Sequence, residues 1–326
     1  MSNYSPLLKR ASVRQPEHRR FYAVQGQTNF AKLRSAPASS ARIRKIAVAL
    51  DGSPIGELAI PYALRLAKIT AAELQLMYVR RSYLSRPGPT YLPAIVERLK
   101  GANVRLRAPL CFEGINAAKR LCTAVDDTMD LVVTAKPRSL IGRLLSSSVC
   151  ERLLKTTSTP LLIVSDSIPP SDFHWSPPMR RLLVPLMGHH AQPEVLQIVA
   201  EIGRLAEGSQ TLLRILPIEI AATASDGQET PRHPATALSA LREAEGDLND
   251  AASCLPNPQS RLIYSTTALE KAVLFDAIAN EFDLVALSTR TRGWLRRFLC
   301  PDVYDLLLRR TCLPLLVLRE RSKPTR

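Results

Sequence analysis

Short apolar runs alternate with longer amphipathic stretches along most of this chain. From Arg44 the order reads KIAVAL, SPIGELAIPYALRLAKI, AELQLMYV, TYLPAIVERLK, NVRLRAPLCF, INAAKRLCTAVDDT, DLVVTA, SSSVCERLLKTT and PLLIV. The short runs are rich in Val, Ile and Leu and lack strict polar alternation, which predicts strands buried on both faces. The longer stretches are apolar at helical spacing, as with Leu58, Tyr62, Leu66 and Ile69. Pro54 fits a first helical turn. Strand and helix alternate throughout with no hairpin dipeptide between them. That pattern predicts a parallel sheet covered by helices.

The pattern then runs a second time. Its strands read RLLVPLM, TLLRILPI, RLIYST, DLVALS and PLLVL, and its helices EVLQIVAEIGRLAEG, ATALSALREAEGDLNDAAS, ALEKAVLFDAIANE and DVYDLLLRR. The openings KIAVALDGSP and RLLVPLMGHH match. So do the closings, which run from DLVV to PLLIV and from DLVA to PLLVL. A repeat of this length is a whole domain. The expected organisation is a basic tail over 1–42, a first domain over 43–166, a linker over 167–178 and a second domain over 179–320. The tail lacks sustained periodicity and is expected to be disordered. The second domain carries the insert TASDGQETPRHP between its second and third strands.

KIAVALDGSP at the start and SSSVCERLLKTTSTPLLIV at the end resemble the universal stress protein family, here as a tandem pair over nearly all of residues 44–320. The resemblance implies an α/β fold: two tandem doubly wound five-stranded parallel sheets of strand order 3-2-1-4-5, the adenine-nucleotide alpha-hydrolase-like arrangement. It implies ATP or AMP as ligand and dimerisation through the last strand. The two domains are thus expected to dock as a pseudo-dimer within one chain, with a homodimer as a further expectation. Ligands of such sheets sit outside the carboxyl ends of the strands, where strand order reverses. Here that point lies between the strand ending at Leu50 and the one ending near Thr134.

Members of the family that bind ATP carry Gly, two residues, Gly, nine residues, Gly, then Ser or Thr. Glycine lets main-chain N–H groups close around phosphate oxygens at a helix start. The resemblance places Asp51 near the nucleoside, followed by Gly52 and Ser53, and Val79 beside the adenine. It places Ala135, Arg138, Ser147, Ser148 and Val149 around the phosphates. Ala135, Pro137 and Ser147 stand where the three glycines would be, and Pro137 supplies no N–H. Ser148 matches the final Ser or Thr. The run Ser146–Ser148 also reads as a helix cap, and Asp-Gly-Ser as a plain strand-to-helix turn. In the second domain Ser288, Thr291 and Pro301 replace the glycines, Asp302 replaces the hydroxyl residue and Met187 replaces Asp51. A carboxylate repels phosphate, so this domain is expected not to bind ATP. Arg290, Arg292, Arg296 and Arg297 surround Trp294 in its loop, and Lys136, Arg138 and Arg143 lie in the first. These cations read either as a polyanion site or as a solvated surface.

Composition narrows the classes further. Net charge is +15, and residues 1–45 carry +9 of it, through ten Lys/Arg against Glu17. The tail therefore reads as a solvated extension, a contact for nucleic acid or an acidic partner, or an organelle import segment. No run of about eighteen apolar residues predicts a membrane span. The six cysteines form no CxxC pair, and the five histidines (His18, His174, His189, His190, His233) have no partner at metal spacing. Reduced thiols suit a cytoplasmic protein. Asp126 and Asp127 read as a solvated helix face. No HExxH, GxSxG, GxxxxGK[ST] or GxGxxG occurs. The expectation is a binding or signalling protein without a metal and without catalysis, the alternative being a nucleotide-free interaction scaffold.

Overall fold

A computed structural model describes residues 43–80, 88–114, 116–136, 149–165, 176–186, 193–217, 234–265, 269–289 and 313–319. The basic tail, the five histidines, most of the linker, the insert and the predicted helix DVYDLLLRR lie outside them.

In the first half the strands are β1 (Lys45–Leu50), β2 (Glu73–Arg80), β3 (Arg105–Leu106), β4 (Leu110–Glu113), β5 (Leu131–Lys136) and β6 (Leu161–Ser165). The helices are α1 (Ala59–Thr70), α2 (Tyr91–Arg98), α3 (Ala117–Thr128) and α4 (Val149–Thr156). In the second half the strands are β7 (Arg181–Pro185), β8 (Ser209–Pro217), β9 (Pro258–Ser265), β10 (Leu284–Thr289) and β11 (Leu315–Arg319). Its helices are α5 (Pro193–Leu205), α6 (Pro234–Ser253) and α7 (Leu269–Ala279). The single third strand expected from NVRLRAPLCF is two short ones. Pro109 cannot donate to a ladder, and β3 and β4 pair with β2 on either side of the interruption.

Two five-stranded sheets were expected to dock through their last strands, and the strands of both halves form one continuous sheet. Its order is β3-β2-β1-β5-β6-β11-β10-β7-β8-β9, with β4 also on β2. Each half alone follows the order 3-2-1-4-5 with parallel neighbours. The halves meet where β6 pairs antiparallel with β11, setting Leu161, Leu162 and Ile163 opposite Val317, Leu316 and Leu315. This joint has a geometric consequence. Strands of the two halves run in opposite directions, so their carboxyl ends lie on opposite edges of the sheet.

Alternate residues feed two apolar layers. Leu162, Val164, Leu316 and Leu318 face the layer under α1, α2, α5 and α6, while Leu161, Ile163, Leu315 and Val317 face the layer under α3, α4 and α7. Both layers cross the joint. There α1 packs on α5, and both carboxylate oxygens of buried Glu201 accept the Ile43 N–H at 3.1 Å.

The halves also share their main-chain anchors. Asp130 Oδ2 accepts the N–H groups of Arg44 and Lys45 at 2.8 and 2.9 Å. Asp283 Oδ2 accepts those of Arg180 and Arg181 at the same distances. Among the described residues, no helix is long and apolar enough to cross a membrane.

Candidate functional site

The chain leaves β1 at Leu50 and turns at once. Gly52 adopts φ +82°, a left-handed conformation that suits glycine. Asp51 Oδ1 accepts the Ser53 N–H at 3.0 Å and the Ser53 hydroxyl at 2.6 Å. Ser53 Oγ in turn accepts the Gly56 N–H at 3.0 Å, where the short turn that leads into α1 begins. Gly56 is part of this unit, and sequence reasoning passed over it. A Cβ there would lie 2.6 Å from Asp51 Oδ1. The signal available was a second glycine at a fixed distance after Asp-Gly-Ser. The turn sits where strand order reverses, since Ala49 of β1 pairs with Met77 of β2 on one side and Thr134 of β5 on the other. Asp51 is half-buried. Among the described residues its Oδ1 accepts hydrogen bonds and its Oδ2 accepts none.

Beside this turn, on the face of α1 and α2, lies a group of aromatic and charged side chains. Tyr78 is opposite Leu50, and its ring centroid is 5.0 Å from that of Tyr91 at the start of α2. Burial raises the Tyr78 phenol, with Cys111, Asp51 and Glu113 adding and Arg80 opposing. Burial and then the neighbouring Glu57 carboxylate push Tyr91 up further. Arg80 pairs with Glu113 across β2 and β4 at 3.0 Å, and Arg98 of α2 pairs with Glu57 at 3.0 Å. The Cys111 thiol lies 3.7 Å from Glu113 Oε1, and burial followed by that carboxylate raises it.

The other expected residues are spread around the turn. Val79 points to the opposite face, where it is buried among Ala49, Met77 and Phe112, so its side chain serves the core. Ala135 is half-buried on β5 and pairs with Val164, and Lys136 pairs with Ser165. Val149 opens α4 and is buried in the layer of α3 and α4. Arg138, Ser147, Ser148, Pro137 and Arg143 lie outside the described residues. So the fold unites Asp51, Gly52 and Ser53 in one turn, sets Ala135 on a flanking strand and turns Val79 away.

Asp126 is exposed, as expected of a solvated helix face, and it also ties α3 to the turn before β6. Its Oδ1 accepts the Ser158 N–H at 3.0 Å, the Thr159 N–H at 3.1 Å, the Thr159 hydroxyl at 2.9 Å and the Thr157 hydroxyl. Among the described residues, no group of His, Cys, Asp and Glu side chains could hold a metal ion.

The second half differs at the equivalent place. Arg214 stands next to Leu186 as Tyr78 stands next to Leu50. Its Nη1 donates to the Leu186 carbonyl at 3.0 Å, and its Nη2 lies 3.6 Å from Asp247 of α6. The two side chains are 12% and 6% exposed, so the carboxyl end of β7 meets a buried ion pair rather than an aromatic pair. Met187, Thr291, Pro301, Asp302, Trp294 and the loop arginines Arg290, Arg292, Arg296 and Arg297 lie outside the described residues. The carboxyl end of β10 lies on the sheet edge opposite Asp51.

Comparison with known proteins agrees with this geometry. Residues 178–319 match the model of the Universal stress protein family. No curated protein matches the chain. Among solved structures, a universal stress protein from Archaeoglobus fulgidus aligns with TM-score 0.55 and 14% identity over 86% of this chain and 97% of its own. A putative universal stress protein from Pseudomonas aeruginosa aligns with TM-score 0.61 and 14% identity over 86% of this chain and 94% of its own. A functionally unknown protein from the same species aligns with TM-score 0.61 and 14% identity over 86% and 93%. At such identities the likeness is one of fold. Residues 178–319 therefore carry a universal stress protein family match, and the two halves together share the fold of such proteins.

Proposed function

We propose that this chain is a universal-stress-type binding module, in which the first half holds an adenine nucleotide and the second half docks against it without binding one. The observation that carries this reading is the Asp51 turn. It lies at the reversal point of the sheet, where ligands of such folds bind. Ser53 fixes one carboxylate oxygen and leaves the second as an acceptor for a ligand hydroxyl. The antiparallel pairing of β6 with β11 supports the role of the second half as an internal partner. Hydrogen exchange with and without AMP tests the proposal. Protection is expected at residues 51–56 and not at the carboxyl end of β7. No protection anywhere, or protection centred on the second half, would overturn it.

The nucleotide-free scaffold is the second reading. The buried Arg214–Asp247 pair favours it, because the second half satisfies its own strand end without a ligand. Release of a stoichiometric nucleotide from the purified, denatured chain would exclude it.

A further inference from the structure

We infer that a second copy of this chain docks on the β9 end of the sheet, pairing its own β9 antiparallel to this one and covering the outer face of α7.

The sheet has two ends, and they differ. At the first-half end β3 has two residues, Pro109 interrupts the line, and β4 resumes on the same neighbour. A broken edge of this kind discourages pairing with another chain. At the other end β9 pairs with β8 along its whole length, from Pro258 to Ser265, with no break in register. Alternate main-chain N–H and C=O groups of such a strand point away from its neighbour, ready for a further strand. Its sequence PQSRLIYS has proline only at the first position and no lysine. Its one charged residue, Arg261, is held by Asp276 of α7, with Nη1 3.2 Å from Oδ2 and Nη2 3.0 Å from Oδ1. Two copies of the strand can therefore approach without unpaired like charges.

α7 adds an apolar ridge at the same end. It packs on β8 and is tied to β9 through Asp276. Counted from Asp130 and Asp283, which anchor the two halves alike, Phe275 and Ile278 of α7 correspond to Cys122 and Val125 of α3. Cys122 and Val125 are 6% and 0% exposed, whereas Phe275 and Ile278 are 52% and 59% exposed. α7 instead turns Val273, Asp276 and Ala277 inward. Turning a carboxylate in and two large apolar side chains out is unfavourable in water, and it marks a surface that another surface covers. The occupant is a second copy because a strand paired antiparallel with its own copy is self-complementary. The chain already joins its halves in that manner, through the equivalent strands β6 and β11.

Sedimentation velocity of the full chain between about 1 and 100 μM tests this, a range in which transient and stable dimers separate. The parent is expected to double in mass across it. Phe275→Lys with Ile278→Lys should raise the dissociation constant by about tenfold or more, while the dilute variant melts as the dilute parent does. A parent that stays monomeric throughout, or a dimer that the two lysines leave unchanged, would overturn the inference. So would a variant that melts lower when dilute with no change in mass, because the ridge would then be packed within its own chain. Hydrogen exchange of the parent supplies the second arm. Amides of residues 259–264 should gain protection as concentration rises, and protection independent of concentration would refute the pairing of β9.

Discussion

Leu162 of β6 and Leu316 of β11 are opposite each other across the joint between the halves, on the same face of the sheet. They are 1% and 0% exposed. Truncating either to alanine removes a fully buried leucine from a packed layer, which costs about 2–5 kcal/mol. Near-complete burial argues for the upper part of that range. Opposed residues in a sheet have Cβ atoms about 4.5–5.5 Å apart. The second truncation then enlarges a cavity already made instead of opening another. The double variant should therefore fall short of the sum of the singles by about 0.5–3 kcal/mol. Urea unfolding of the parent, both singles and the double, followed by circular dichroism, measures this coupling. A protein of this kind has on the order of 5–15 kcal/mol to lose, so each single remains folded without denaturant. One shared transition with clear coupling is predicted. Additivity to within about 0.5 kcal/mol, with the two halves unfolding in separate steps, would refute the view that the joint unites them.

Three further outcomes follow from particular contacts. Gly56→Ala places a Cβ 2.6 Å from Asp51 Oδ1. It should lower the melting temperature and AMP affinity together, and loss of neither would contradict the packing described. Asp126→Ala strips the turn at 157–159 of its shared acceptor. The expected loss is about 1–3 kcal/mol by chemical denaturation, and a neutral result would show the tie to be dispensable. Burial holds the Asp276 carboxyl above its ordinary 3.8, against the opposing effects of Arg261 and Asn280. The native chain then holds that proton more readily than the unfolded one, so this group's contribution to stability falls as pH rises from 3.8 through the raised value. Asp276→Asn should flatten that part of the stability curve, and an unchanged slope would contradict the assignment.

The alternation of apolar runs and amphipathic stretches made the strands and helices legible, because strands buried on both faces are apolar throughout. Resemblance to a known family supplied the strand order within each half. It also implied contact through the last strands, and β6 and β11 do pair; nothing in PLLIV or PLLVL by itself says that one will run antiparallel to the other. The break in the third strand was visible as Pro109, whose missing N–H interrupts a ladder. Asp51, Gly52 and Ser53 were found because a turn writes its needs into adjacent residues. Gly56 was not, since its role depends on where the Asp51 carboxylate folds back. Asp126 is exposed as expected, but its hold on the turn thirty residues on was not legible, because only the fold brings that turn against it. Val79 fell on a core-facing position because side chains alternate along a strand. Its immediate neighbour Tyr78 has the face toward the Asp51 turn.

The central claim is one site per chain, built on Asp51. Equilibrium dialysis with labelled AMP counts it directly. The account predicts one equivalent per parent chain, and none for an Asp51→Ala chain that melts as the parent does. Two equivalents per parent chain, or the same binding in the variant, would contradict it.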